Sequence, residues 1–204
     1  MYFIISVIVA YLLGSISFSV IIARKIMQVD IRQHGSGNAG ATNTLRVLGV
    51  GPAIVVLLLD CLKGIIAVLG ALYFTGGDAF IASAAGLAAI AGHNWPVYYG
   101  FRGGKGVATT IGVLASLVFL PALLAGAIAI LSIIFTRFVS LGSLLFISGT
   151  TIIVFIFSLT GSYSSDYLYF LIVITVLSFW RHRTNIERLI KGTESKIGQK
   201  ATAN

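Results

Sequence analysis

Three polar stretches of this chain combine residue types that bind anionic groups. The first runs from His34 to Arg46 and reads H-G-S-G-N-A-G-A-T-N-T-L-R, so glycines, hydroxyls and amides precede an arginine. Backbone N–H groups in such a glycine-rich turn can converge on an anion, and the Arg46 guanidinium suits a phosphate because it can donate two parallel hydrogen bonds. This stretch is therefore a candidate phosphate-binding loop.

The second stretch covers residues 92–106 and reads G-H-N-W-P-V-Y-Y-G-F-R-G-G-K-G. Its glycines surround Lys105 directly before an apolar run, and the N-terminus of a helix favours an anion. The residues alone support two interpretations equally. The stretch is either a phosphate cradle or a tight turn with aromatic anchors at the membrane interface.

The third stretch covers residues 181–194 and reads R-H-R-T-N-I-E-R-L-I-K-G-T-E. At helical spacing His182 and Asn185 share a face, where they can address a substrate. Glu187 has a basic residue four positions away on either side, which predicts ion pairs along the helix. A basic tail against anionic lipid would explain the arginines and lysines but not His182 and Asn185.

The elements that must position these stretches are apolar. Hydrophobic residues make up 57% of the 204 residues and charged residues 10%, whereas a soluble domain carries roughly 25% charged residues. Mean hydropathy is +1.00. The first run is followed, not preceded, by basic residues, which predicts a retained membrane anchor and not a cleavable signal. Seven apolar runs are candidate helices: 1–23, 50–74, 79–91, 107–120, 122–135, 141–159 and 167–180.

These runs predict an all-α, polytopic membrane helix bundle, organised as a single domain over residues 1–204. We expect about seven transmembrane helices, and as few as five if the short runs do not span fully. Alternate threading places 13 of the 14 Lys and Arg residues on one side, and the opposite connections contain none. The positive-inside rule then puts the N-terminus outside and the C-terminus in the cytoplasm.

Two charged residues depart from this pattern, because Asp60 and Lys63 lie inside the second apolar run. A lone charge there is costly, and the three-residue spacing allows the two to pair. Structural pairing and lining of a polar site are both consistent with the residues.

In this order, between membrane runs, the three stretches resemble the signature motifs of the bacterial acyl-phosphate:glycerol-3-phosphate acyltransferases. The resemblance covers essentially the whole chain. It rests on G-S-G-N-x-G-x-T-N at 35–43 with Arg46, H-x-x-P at 93–96 with G-G-K-G at 103–106, and R-H-R-T-N-I-E-R-L at 181–189 with G-T-E at 192–194.

The resemblance implies an enzyme of the bacterial inner membrane with its active site on the cytoplasmic face. Such an enzyme transfers a fatty acyl group from acyl phosphate to the 1-hydroxyl of glycerol 3-phosphate, giving lysophosphatidic acid and phosphate, in the first step of phospholipid synthesis. The implied partners are these two substrates and membrane lipid, with no nucleic acid, no cofactor and no metal. We expect a monomer.

The resemblance also implies roles for individual residues. The catalytic set is Ser36, Arg46, His182 and Asn185. The substrate-binding or phosphate-binding set is Gly35, Gly37, Asn38, Asn43, Gly103, Gly104, Lys105, Gly106 and Ser143. Glu187 is expected to be structural.

The chemistry predicted for this site is direct acyl transfer. Arg46 and Lys105 would hold the phosphates, Ser36 and the first-loop amides would polarise the acyl phosphate, and His182 would orient or deprotonate the attacking hydroxyl. A phosphate oxygen as the base and an acyl-serine at Ser36 are the alternatives.

Two other classes of protein remain as alternatives. A transporter or channel would use Asp60 and Lys63 within the membrane, although the sequence has no internal repeat and no matched pair of broken helices. A non-catalytic anchor for anionic lipid would leave Ser36, His182 and Asn185 without a role.

Overall fold

The computed structural model describes residues 1–164 and 166–198, and within them the fold consists of α-helices and short 3₁₀ helices without a β-strand. The predicted all-α class is confirmed. The α-helices are α1 (Tyr2–Gly14), α2 (Phe18–Met27), α3 (Ala41–Leu48), α4 (Val50–Phe74), α5 (Ala79–Asn94), α6 (Val107–Leu117), α7 (Phe119–Thr136), α8 (Val139–Leu159), α9 (Asp166–Arg181) and α10 (Arg183–Ile190). The 3₁₀ helices cover Ile31–Gln33 and Val97–Tyr99.

Four segments of the described chain are long and apolar enough to cross a membrane: Tyr2–Met27, Val50–Phe74, Phe119–Thr136 and Val139–Leu159. Large apolar side chains cover their outer surfaces; Leu58 is 62% exposed and Phe135 is 82% exposed. Such a surface is unfavourable in water but is well solvated by lipid chains. The count of five to seven spans and the sidedness of the termini stay predictions.

The described residues fall into two compact units, 1–113 and 114–198, with the boundary inside α6. The single domain expected from the sequence stays a prediction. In the first unit, α1 packs closely on α5 because small residues let the backbones approach. A Cβ placed on Gly14 would lie 2.1 Å from the Ala89 carbonyl oxygen, and one on Gly92 would lie 2.2 Å from that of Tyr11.

The first apolar run does not form one continuous helix. It breaks between α1 and α2 at residues 15–17, which leaves the Ile16 carbonyl outside the regular helical pattern. The Lys63 ammonium donates a 2.8 Å hydrogen bond to this carbonyl oxygen. A partly buried carbonyl freed from a helix needs such a donor, and the buried Lys63 supplies it.

In the second unit, α8 packs between α7 and α9. The sequence predicts a break at Pro121, between the apolar runs 107–120 and 122–135. The helices instead separate at Val118, and Pro121 sits in the first turn of α7. This shift is physically reasonable because proline is tolerated in the first helical turn, where its missing N–H has no intrahelical partner. The third polar stretch does not continue the last apolar run as one helix, as its helical spacing had suggested. α9 stops at Arg181 and α10 begins at Arg183, so His182 occupies the junction.

Candidate active site

The buried Asn43 amide shapes the first polar loop. Asn43 is only 1% exposed. Asn43 Oδ1 accepts a 2.8 Å hydrogen bond from the Ser36 N–H, and Nδ2 donates to the carbonyl oxygens of Ile31 at 3.1 Å and His34 at 2.9 Å. This amide therefore folds residues 31–36 against the start of α3.

Two glycines allow the turn that results. Gly35 has φ +60° and Gly37 has φ +71°, a region that residues with a Cβ rarely occupy. A Cβ on Gly35 would also lie 2.3 Å from Asn43 Oδ1. Ser36, between them, is exposed. The loop therefore presents the Ser36 hydroxyl to solvent on a tightly constrained backbone.

Three predicted site residues of the first loop have side chains that are not used inside the fold. The Ser36 hydroxyl, the Asn38 amide and the Arg46 guanidinium make no hydrogen bond or ion pair with the residues that the structure describes. Arg46 lies half-buried in the last turn of α3. A half-buried guanidinium without a carboxylate partner is well suited to bind an anionic ligand.

Arg32 connects the first loop to the second. Its guanidinium pairs with Asp30 at 2.7 Å, and it donates hydrogen bonds to the carbonyl oxygens of Tyr99 at 2.7 Å and Arg102 at 3.3 Å. The hydrogen bonds from Arg32 lower the pKa of Asp30 from 3.8 to about 2, so the pair is fully charged at neutral pH.

A cleft of about 510 Å³ lies at this junction. It contains glycines of both loops together with cationic side chains and one carboxylate. Its lining residues are Asp30, Arg32, Gln33, Gly37, Tyr99, Gly100, Arg102 and Gly103.

The glycines of the second loop lie directly on the end of α5. A Cβ on Gly103 would be 2.1 Å from the His93 carbonyl oxygen, and one on Gly104 would be 2.1 Å from His93 Nε2. One on Gly106 would be 2.9 Å from Asn94 Oδ1. In addition, the Gly104 N–H donates a 3.1 Å hydrogen bond to the His93 carbonyl. The loop that carries the half-buried Lys105 thus depends on His93 and Asn94 for its position.

Two buried charged residues of α4 are connected to this loop through His93. Lys63 Nζ lies 2.7 Å from Asp60 Oδ1, with each side chain 1% exposed, so the pairing allowed by their spacing is present. Lys63 Nζ also lies 3.0 Å from His93 Nδ1. Asp60 and Lys63 therefore pair with each other inside the helix bundle, and Lys63 also contacts His93, which supports the second loop.

In the second unit, Glu194 organises the third polar stretch. Its carboxylate accepts hydrogen bonds from Ser140 Oγ at 2.7 Å, Asn185 Nδ2 at 2.6 Å and Arg188 Nε at 2.7 Å. Burial alone would raise the pKa of Glu194, but the hydrogen bonds from Ser140, Asn185 and Arg188 outweigh it and hold the pKa below its usual value. Glu194 is therefore an ionised anchor for Asn185.

The other predicted residues of this unit are also held by internal contacts. His182 is buried, and its Nδ1 lies 2.8 Å from the Ser178 carbonyl oxygen. Ser143 donates a 2.8 Å hydrogen bond to the Val139 carbonyl of its own helix. Glu187 accepts a 2.6 Å hydrogen bond from Lys191 at the surface, which confirms one of the two predicted pairs. The other is wrong, because Arg183 lies over the Trp180 ring at 4.7 Å instead of pairing with Glu187.

Comparison with known proteins identifies the family. The family model described as "Glycerol-3-phosphate acyltransferase" matches residues 4–192. The chain belongs to the glycerol-3-phosphate acyltransferase family. The family predicted from the three polar stretches is thereby confirmed, while the acyl donor stays a prediction.

Individual family members are similar over nearly their full length. The glycerol-3-phosphate acyltransferase of Halalkalibacterium halodurans is 67% identical over 195 residues, covering 95% of each chain. That of Shouchella clausii is 61% identical over 196 residues, covering 96% of each chain.

Two solved structures share the fold. One is PlsY (YgiH), an integral membrane glycerol 3-phosphate acyltransferase in its glycerol 3-phosphate form, with a TM-score of 0.88, 41% identity and 96% coverage of each chain. The lysophosphatidic acid form has a TM-score of 0.86 and 39% identity, and the match covers 96% of this chain and 95% of that one. The match supports an integral membrane fold for this family member.

The predicted site residues are divided between the two units. The first unit holds residues 35–46 and 103–106, joined through Arg32. The second unit holds Ser143, His182 and Asn185. The meeting of Arg46 and Lys105 with His182 around one ligand stays a prediction.

Three residues with important contacts were absent from the predicted site. His93 and Asn94 support the glycine loop, and Glu194 holds Asn185. The first and third belong to the H-x-x-P and G-T-E motifs, so the motif letters already contained a signal for them. Their partners were not readable from the sequence, because each contact joins segments distant along the chain.

Proposed function

We propose that this protein transfers a fatty acyl group from acyl phosphate to the 1-hydroxyl of glycerol 3-phosphate, releasing lysophosphatidic acid and inorganic phosphate. The reaction is the first step of phospholipid synthesis and takes place at the cytoplasmic face of the bacterial inner membrane. One observation carries the proposal. The Asn43-ordered loop leaves the Ser36 hydroxyl and the Arg46 guanidinium uncommitted within the described chain, so both are available to a phosphate ligand.

The similarity to PlsY supports the choice of acceptor. The PlsY structure in the glycerol 3-phosphate form is 41% identical to this chain, and the one in the lysophosphatidic acid form is 39% identical. The lipid product and the apolar outer surface also fit a site at the membrane. We propose that one chain, acting as a monomer with a single functional domain, carries the complete site.

The proposed reaction is a direct displacement. The acceptor oxygen attacks the acyl carbon, a C–O ester bond forms, and the bond from that carbon to the phosphate oxygen breaks. Phosphate leaves with the bonding electrons, and Arg46 and Lys105 offset its negative charge. Because an acyl phosphate has a good leaving group, the protein mainly has to bind and align the two substrates.

The acceptor proton goes to His182 or to a phosphate oxygen. The Ser178 carbonyl accepts a hydrogen bond from His182 Nδ1, which assigns the proton to Nδ1 and the lone pair of the neutral ring to Nε2. Nε2 is then the basic nitrogen, in the form that a general base needs. Glu194 positions Asn185 for the same substrate.

The surroundings of Ser36 favour direct transfer over an acyl-serine intermediate. A nucleophilic serine normally needs an adjacent base, and Ser36 Oγ has no hydrogen-bond partner in the part of the chain that the structure describes. Ser36 is therefore assigned to substrate contact. Detection of an acyl-Ser36 adduct by mass spectrometry after rapid quenching would contradict this assignment.

The deciding experiment uses the purified protein in detergent with acyl phosphate and glycerol 3-phosphate. We expect equal amounts of lysophosphatidic acid and phosphate, and no product when acyl-CoA or acyl carrier protein replaces acyl phosphate. Product from a thioester donor with none from acyl phosphate would overturn the proposed donor. Vesicle uptake of either substrate without new ester would instead support a transporter.

A matched pair of arginine variants tests the site. Arg46→Gln should reduce kcat/KM by at least about 100-fold, because a charge-assisted contact to phosphate is lost. Arg24→Gln removes an exposed arginine whose carboxylate contact is 4.0 Å long, and it should retain activity. Equal effects of both changes would contradict a specific role for Arg46.

A further inference from the structure

The second-loop glycines leave no room for side chains because their backbone rests on His93 and Asn94. A Cβ on Gly103 would lie 2.1 Å from the His93 carbonyl oxygen, and one on Gly104 would lie 2.1 Å from His93 Nε2. The Gly104 N–H is also tied to the His93 carbonyl at 3.1 Å. Any displacement of His93 therefore displaces the loop that carries Lys105.

His93 is in turn held by a buried charged group. Lys63 has three N–H donors, and three acceptors surround its ammonium: Asp60 Oδ1 at 2.7 Å, the Ile16 carbonyl at 2.8 Å and His93 Nδ1 at 3.0 Å. These partners come from α4, the α1–α2 break and α5. The lysine thus fixes the end of α5 relative to two other segments of the first unit.

This contact also determines the tautomer of His93. An ammonium can only donate, so His93 Nδ1 must accept and the neutral ring carries its proton on Nε2. The protonated alternative would need Nδ1 to donate to Asp60 Oδ1, but that separation is 3.6 Å, too long for a hydrogen bond. Nε2–H then lies where both polar loops meet, because a Cβ built on Gly104 would be 2.1 Å from Nε2 and 2.4 Å from the Ala39 carbonyl oxygen.

We propose that Asp60, Lys63 and His93 are positioning residues that fix the Gly103–Gly106 loop and thereby set the affinity of the site for the phosphate group of a substrate. The inference rests on the proposed function and deepens it by naming the support of the phosphate-binding loop. Stability alone does not account for these charges, since a buried ion pair can often be replaced by apolar residues of similar volume without loss of stability. Loops that bind a reacting group do depend on such a support, because small misplacements lower binding and rate.

Two independent variants test the network. Asp60→Leu combined with Lys63→Met removes both charges together, so neither is left unpaired in the interior. His93→Gln keeps a polar side chain of similar length but loses the imidazole contacts. Each should raise KM for at least one phosphate-bearing substrate by about tenfold, the equivalent of one hydrogen bond, with kcat changed by less than about threefold.

A third measurement asks whether the residues act as one unit. The triple variant should bind no more weakly than either of its parents, because groups in one network have non-additive effects. The matched control is Ser83→Ala, a buried residue of α5, the helix that carries His93; among the described residues its hydroxyl bonds only the Ala79 carbonyl, at 2.8 Å. Its KM values should equal those of the wild type.

Binding without turnover separates this inference from the proposed function. Calorimetric titration with glycerol 3-phosphate and with inorganic phosphate needs no acyl donor, so it reports on the loop even if wild-type protein makes no ester from acyl phosphate. Weaker binding in both variants, with thermal midpoints within about 5 °C of the wild type, supports the positioning role. Unchanged KM and binding constants, a loss of kcat alone, additive effects, or loss of folding in both variants would overturn it.

Discussion

The Glu194 carboxylate connects α8, α10 and the segment after α10, so its replacement should destabilise the second unit and impair catalysis. Glu194 is 4% exposed at its side chain, whereas its partner Arg188 is 43% exposed. Hydrogen bonds to a charged group contribute about 1.5–3 kcal/mol each when buried. The two buried bonds, from Ser140 and Asn185, are therefore worth about 3–6 kcal/mol together, and the exposed pair with Arg188 adds at most about 1 kcal/mol.

Two substitutions separate the charge from the hydrogen bonds. Glu194→Ala should cost the full 3–6 kcal/mol or so, a large share of a typical stability of about 5–15 kcal/mol. Glu194→Gln keeps one acceptor oxygen but makes the remaining bonds neutral, so about 1–3 kcal/mol should be lost. Both should lower kcat, because Asn185 loses the carboxylate that orients it.

The pH dependence has a defined sign. The pKa of Glu194 is lowered from 4.5 in the folded protein, so its contribution is fully present above the unfolded value and is lost as pH falls through the folded pKa. The difference in stability between wild type and Glu194→Gln should accordingly be constant near neutral pH and shrink below about pH 4.5.

The assay combines tryptophan-fluorescence unfolding in detergent, from pH 3 to about 8, with the acyl-transfer rate at neutral pH. Glu187→Gln is the matched control, since Glu187 and Lys191 are 61% and 64% exposed and such pairs contribute less than about 1 kcal/mol. Wild-type stability and kcat in Glu194→Ala would refute the reasoning, as would an equal loss in Glu187→Gln.

Three further changes test the first unit. Asn43→Asp replaces the donating Nδ2 with an oxygen that faces two loop carbonyls, and it should lower kcat/KM by at least about 100-fold in steady-state assays. Near-normal activity would contradict the assigned role of the amide. Gly104→Ala puts a Cβ 2.1 Å from His93 Nε2 and should raise KM for a phosphate substrate, whereas Gly70→Ala, with nothing within 4 Å, should leave KM unchanged. Asp30, with its pKa lowered from 3.8 to about 2, should contribute about 2 kcal/mol above pH 4 that disappears as pH falls toward 2. Unfolding midpoints of wild type and Asp30→Asn across this range should converge at low pH, and a constant difference would count against the ion pair.

Much of the fold was predictable because the relevant signals are local. An apolar run long enough to span a bilayer is visible within about 20 consecutive residues, and each of the seven predicted runs contains helix in the structure. The glycines at 35 and 37 indicated a turn, and in the structure both have positive φ. The motifs of the three polar stretches, in their order, were sufficient to predict the family, and the family model that matches residues 4–192 confirms it.

The roles of particular side chains were harder to derive, because they depend on partners far along the chain. The hydrogen bond from Ser140 to Glu194 joins residues 54 apart, and that from Arg32 to the Tyr99 carbonyl joins residues 67 apart. A sequence shows which residues carry donors and acceptors but not which pairs the packing of helices brings within 3 Å. For the same reason the α1–α2 break was not predicted, since its freed carbonyl is satisfied by Lys63 on another helix.

The amino-acid sequence by itself determined that this is a membrane protein, that it is helical, and which residue types are available to hold phosphate, since each follows from composition and short-range spacing. Only the tertiary structure decided which polar residues hold the loops and which remain available to a ligand. Asn43, His93 and Glu194 use polar side-chain atoms to hold the backbone or another side chain, whereas the side chains of Ser36 and Arg46 make no such bond among the described residues. That division depends on distances between segments, which exist only once the helices have packed.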